Sequence, residues 1–196
     1  MRRTTRGEAL GAAAAGGAAI GAGALLGGWV EPPASVGRPS ASQDARIWQF
    51  LLLLEEAQAA LYDTALRSRS LPSDLAAYAR VVAPQEHDHV ALVRRRLGAR
   101  ARPAPKFDYA KATSSAAQFQ QAAINLEEAT LAAYIAQGAN LTGPAVADAA
   151  RIVAVDARHA AWIRDLAHAD PAPRAADPGR APEDVIADLR KKELLP

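Results

Sequence analysis

Four carboxylates and two imidazoles stand in this sequence at spacings that suit metal ions. Leu54-Glu55-Glu56-Ala57 is followed by Tyr62, and Leu126-Glu127-Glu128-Ala129 by Tyr134. In both, the first glutamate precedes the tyrosine by seven residues, two turns on one helix face. Glu86-His87-Asp88-His89 leads to Arg94, and Asp156-Ala157-Arg158-His159 leads to Arg164. A carboxylate thus comes three residues before a histidine and eight before an arginine, twice over. The i, i+3 spacing puts Glu86 beside His89, and Asp156 beside His159. Four matched features in one register mark an internal duplication. The chain has no cysteine, which excludes disulfides, thiolate zinc sites and iron–sulfur clusters. A metal would have to be held by His, Asp and Glu alone.

Such a set needs long helices to hold it, and the periodicity of apolar residues supplies four. Over residues 41–69 a stripe of Trp48, Leu51, Leu52, Tyr62 and Leu66 marks the first, broken at 68–72. The second runs from Pro72, suited to a first helical position, to about Leu97. Gly98 ends it, with Arg94, Arg95 and Arg96 read as a cap on its carbonyl end. Residues 99–113 contain Pro103 and Pro105 and little periodicity. A third helix begins after Thr113 or Ser114 and ends near Asn140. Pro144 opens a fourth that lasts to about Ala169. Past a Pro-rich stretch at 171–182, residues 182–195 are expected to form a short fifth helix packed on the outside. Half the residues are apolar and only 5% aromatic. Alanine dominates, which favours closely approaching helices over a β-sandwich. The expected fold is all-α: two helical hairpins joined by a long crossover into a four-helix bundle. The link of 16 residues at 98–113 can traverse it, reaching roughly 50 Å against about 37 Å for a helix of about 25 residues.

In an antiparallel hairpin, residues equidistant from the turn lie level. Glu55 and Glu86 average to 70.5, inside the first break, and Glu127 and Asp156 to 141.5, inside the second. Glu55 shares its stripe with Trp48, Leu52, Ala59 and Tyr62, whereas Glu56 aligns with Gln49, Asp63 and Arg67 and is expected to face water. Glu86 sits with Ala79, Val82, Val93 and Leu97, and Asp156 with Ala149, Ile152, Val153 and Ile163. Glu127 lines up with Ile124, Leu131 and Tyr134. Gln120 interrupts that stripe, and the parallel with the first helix selects Glu127 over Glu128. Trp48 and Trp162 are assigned to the core, Tyr62 and Tyr134 to the core with a hydrogen bond to a ligand, and His87 and His168 to solvent. Burying bare charges costs several kcal/mol each, and no Lys or Arg stands at the right height on these stripes. A pair of metal ions is the simplest compensation.

The pattern resembles the ferritin-like family of di-iron carboxylate bundles: Glu on helices one and three, a carboxylate-x-x-His on helices two and four. The resemblance covers residues 45–168 and is nearer to exported bacterial ferritin-like domain proteins than to cage-forming ferritins. It implies that Glu55, Glu86 and His89 serve one metal, and Glu127, Asp156 and His159 the other, with Glu86 and Asp156 as bridges. Asp156 departs from the family's usual glutamate by one methylene. The implied cofactor is a di-iron centre or its manganese equivalent. The implied chemistry is iron oxidation, peroxide removal or another oxygen-dependent step. The alternative is a non-enzymatic structural or stress protein of the cell envelope with a vestigial or purely structural metal site. The residues leave open whether the chain is an enzyme.

Basic residues number 23 and acidic residues 21. Setting aside residues 1–42 removes Arg2, Arg3, Arg6 and Arg38 together with Glu8 and Glu31, leaving 19 of each sign. No nucleic-acid partner is expected on that charge. Residues 1–6 are basic with an Arg2-Arg3 pair, residues 9–30 carry no charge, and residues 31–40 are rich in Pro, Gly and Ser. The segment resembles a twin-arginine-type export signal, with Thr5 where an aromatic or leucine is commoner and Ser40-Ala41-Ser42 as small residues for cleavage. It implies the twin-arginine export machinery as a partner and the periplasm or cell envelope as the location. Membrane association through an uncleaved 9–30 segment and a homodimer are the open alternatives. The expected division is 1–42 signal and linker, 43–170 bundle, and 171–196 Pro-rich tail with a short helix.

Overall fold

A computed structural model describes residues 38–196; the expected export signal lies, but for its last few residues, outside the described residues. Helix α1 spans Ala41–Ser68, α2 Ser73–Leu97, α3 Ala116–Gly138, α4 Gly143–Leu166 and α5 Pro182–Lys191. A 3-10 turn at Gly98–Arg100 follows α2, and the described residues contain no strand. The protein is thus all-helical, two hairpins forming a four-helix bundle with a short C-terminal helix, as the periodicity predicts.

Each start has a local cause. Ser40 is extended and its hydroxyl accepts the backbone N–H of Gln43, and Ser115 does the same for Gln118 at the head of α3. Pro144 stands in the first turn of α4 and Pro182 in that of α5. Gly98, at φ 58, stops α2 in a conformation that a side chain would strain. Pro84 lies inside α2 and has no N–H to offer the preceding turn, two residues ahead of Glu86.

Helix α1 is the centre of the core: residues 51–54 are four consecutive leucines, all buried, because α2, α3 and the crossover surround it. α1 packs closely on α2, and α3 on α4; α1 and α3 join the hairpins, and α2–α4 is the loosest of these bundle contacts. Asp44 near the start of α1 accepts the backbone N–H of Thr142 at 2.9 Å, tying the first helix to the second hairpin's turn. The crossover buries Tyr109, whose hydroxyl donates to the Leu194 carbonyl at 2.8 Å. α5 packs on α3 with Val185 and Leu189 buried. The Pro-rich stretch before it is held against α3 at Gly179, where a Cβ would stand 3.0 Å from Ala136 Cα. The next residue's N–H, of Arg180, donates to the Ala132 carbonyl at 3.0 Å. No helix among the described residues is long and apolar enough to cross a membrane.

Two placements differ from expectation. Trp48 is buried, but Trp162 is 38% exposed: it caps the loose α2–α4 seam, edge-on to Tyr78 with ring centroids 5.1 Å apart. Glu56 does not face water; it is buried, for a reason given below.

Candidate metal centre

Each of the four bundle helices brings one acid to the interior at mid-length. Glu55, Glu86, Glu127 and Asp156 have no exposed surface, and His89 and His159 are buried beside them. The six residues predicted from spacing therefore meet. Their donor atoms form two overlapping groups, Glu55–Glu86–His89–Asp156 and Glu86–Glu127–Asp156–His159, each with its atoms within 4.8 Å of one another. Glu86 and Asp156 belong to both groups, where bridging ligands would stand.

The imidazoles lie between the acids. His89 Nδ1 is 3.4 Å from Glu55 Oε2, 3.3 Å from Glu86 Oε2 and 3.3 Å from Asp156 Oδ1. His159 Nδ1 is 2.9 Å from Glu86 Oε1 and 3.8 Å from Glu127 Oε2. The outer nitrogen of His159, Nε2, lies 2.7 Å from Gln85 Oε1. With a metal bound, an Nε2–H donating to the Gln85 carbonyl oxygen would leave the Nδ1 lone pair to the ion. The two rings stack at 6.2 Å between centroids.

The tyrosines act across the hairpins. Tyr134 on α3 donates to Glu55 Oε1 on α1 at 2.5 Å, and Tyr62 on α1 donates to Glu127 Oε1 on α3. Tyr78 places its hydroxyl 2.9 Å from that of Tyr62. Gln58 Nε2 donates to Glu127 Oε2 at 2.9 Å. Burial pushes both Tyr62 and Tyr134 well above the usual phenol range, and the adjacent carboxylates push the same way, so both stay neutral donors.

Burial also raises Glu55, Glu127 and Asp156, with neighbouring carboxylates adding to it. Glu86 is the exception: burial pushes it up, but His159 and His89 on either side hold it below the usual range. Burial lowers His89, yet Glu55 and Glu86 outweigh that and lift it to about 11.

Outside this ring, the second glutamate of each Glu-Glu pair meets the arginine of its own hairpin. Arg94 pairs with Glu56, and Arg164 Nε donates to Glu128 Oε1 at 2.7 Å. The arginine recurring eight residues after each carboxylate was the sequence signal for these pairs. Arg94, in the last turn of α2 with Arg95 and Arg96 as expected, thus also bridges to α1, and Arg96 reaches Asp148 on α4. His87 is solvated as expected, beside Asp63. Sequence reasoning missed Gln58 and Gln85. The first lies one turn beyond Glu55 on the same stripe, so its position was readable; the second adjoins Glu86 and only the approach of α4 gives it a role.

A metal fits these residues. Glu55 Oε2, both oxygens of Glu86, both of Asp156 and the Nδ1 atoms of His89 and His159 are buried without a hydrogen bond. Carboxylate oxygens and imidazole nitrogens are the donors that iron and manganese take. A family model described as a ferritin-like domain matches residues 43–169. No curated protein matches the chain.

Proposed function

The chain belongs to the ferritin-like domain family, and from that premise we propose that it is an exported protein whose buried centre holds two iron or manganese ions. Its activity would be oxidation of ferrous iron or disposal of oxygen or peroxide. The observation that carries this reading is the set of buried, unpartnered donor atoms turned toward one another from four helices. Each such atom costs about 1–3 kcal/mol while nothing satisfies it. Four carboxylates supply four negative charges, which two divalent ions neutralise with both imidazoles uncharged. Bound there, the ions supply the electrons that oxygen chemistry requires. Glu55 and His89 would hold one ion and Glu127 and His159 the other, with Glu86 and Asp156 within reach of both. Tyr134 and Tyr62 hold the terminal glutamates in place. The packed leucines of α1 keep bulk water from the centre.

A second reading has its own support. His89, protonated between Glu55, Glu86 and Asp156, lets the cluster compensate part of its own charge. On that reading the chain is a structural or stress protein of the envelope. Metal content separates the two. After metal exposure and desalting, elemental analysis should find two ions per chain, about one in Glu55→Ala, and none in Glu86→Ala, because Glu86 serves both positions. A folded wild-type chain that retains no metal would establish the structural reading instead.

A further inference from the structure

Besides the exchange of Glu86 for Asp156, the duplication that builds the centre is broken at a buried position beside it. Three residues past the first ligand, α1 carries Gln58 and α3 carries Thr130. Gln58 donates to Glu127 Oε2, and Tyr62 to Glu127 Oε1, so Glu127 has both oxygens engaged. Thr130 does nothing comparable for Glu55: its hydroxyl is buried without a partner, and Glu55 Oε2 is free. Nor is Gln58 a space-filler. Its own carbonyl oxygen is buried and unpartnered, a cost that an apolar side chain of the same size would avoid.

We propose that Gln58 sets the order in which the two metal positions fill, an inference that rests on the two-metal reading above. In the group of Glu55, Glu86, His89 and Asp156 every carboxylate keeps an oxygen without a hydrogen bond, whereas Glu127 keeps none, so once the His89 proton is displaced this position takes an ion first. An ion at Glu127 and His159 must share Glu127 Oε2 with the Gln58 amide. It cannot take both oxygens unless Tyr62 also lets go. Gln58 is a positioning residue that acts through Glu127, and at limiting metal the chain is mononuclear.

The test is titration of the metal-free chain with Mn(II), reading unbound Mn(II) from its electron paramagnetic resonance. Wild type should show two steps at least about tenfold apart, the worth of one hydrogen bond to a carboxylate. Gln58→Leu should leave the first step in place and bring the second to within about threefold of it. Glu55→Gln should abolish the tight step, and Glu127→Gln should spare it. If Gln58→Leu loses helicity by circular dichroism, Gln58→Thr replaces it, since the other hairpin already holds threonine there. A single unresolved step in wild type overturns the proposal, as does a second step that the Gln58 variants leave unchanged or weaken. So does a tight step that depends on Glu127 rather than Glu55. Folded wild type that takes up no Mn(II) at all fells the two-metal reading itself, and the filling order with it.

Discussion

His89 keeps a proton that a metal ion must displace. Glu55 and Glu86 hold it there up to about 11, while burial makes Glu55, Glu127 and Asp156 keep their own protons above the usual carboxylate range. From the carboxylate range upward the folded chain therefore binds more protons than the unfolded one, so metal-free stability falls as pH rises. The His89 contribution is complete below its ordinary value of 6.5 and is lost as pH climbs toward 11. Lowered Glu86 acts in the opposite sense, but only at and below its ordinary range. Thermal melting of the metal-free protein should give a lower midpoint at about pH 9 than at about pH 6. Mn(II) should restore more stability at the higher pH, because the protons it displaces are already leaving. A midpoint that rises with pH would contradict this protonation scheme. Spacing and stripe made five of the six candidate ligands legible, and Glu127 needed the parallel with the first helix. Gln85 was not legible, because its role is created by a ring on another helix.

Between elements, the two outer ion pairs look alike in sequence and differ in energy. The Glu56 side chain is 5% exposed and that of Glu128 39%. Removing Arg94 leaves a nearly buried carboxylate unpaired, whereas removing Arg164 leaves one that water can reach. Arg94→Ala should cost about 2 kcal/mol in denaturant unfolding, and Arg164→Ala under about 1 kcal/mol. Equal losses would mean that exposure of the carboxylate does not set the worth of these pairs. Helix boundaries and hairpin pairing were readable because apolar period and turn residues agree. The burial of Glu56 was not, because a stripe reports which residues share a face and not which neighbour closes over it. Trp162 fails the same way: its stripe is apolar, but α2 and α4 meet too loosely there to cover it.

On the scale of the whole molecule, the bundle followed from alanine-rich composition, a crossover long enough to traverse it, and doubled motifs at matched heights. The proposed export rests on residues 1–42, a basic start followed by an uncharged stretch. Arg2→Lys with Arg3→Lys should keep the protein in the cytoplasm of an exporting host, and fractionation should place the wild type outside it; wild type confined to the cytoplasm would refute export. The aromatic contacts carry a consequence of their own. Trp48 lies edge-on to Tyr134, which holds Glu55, and Trp162 edge-on to Tyr78, whose hydroxyl meets the Tyr62 that holds Glu127. Each half of the centre thus owns a fluorophore, the enclosed indole emitting to the blue of the half-exposed one. With Trp29, the third tryptophan of the sequence, changed to phenylalanine, the colour of the quenched light would tell which half an arriving ion has entered.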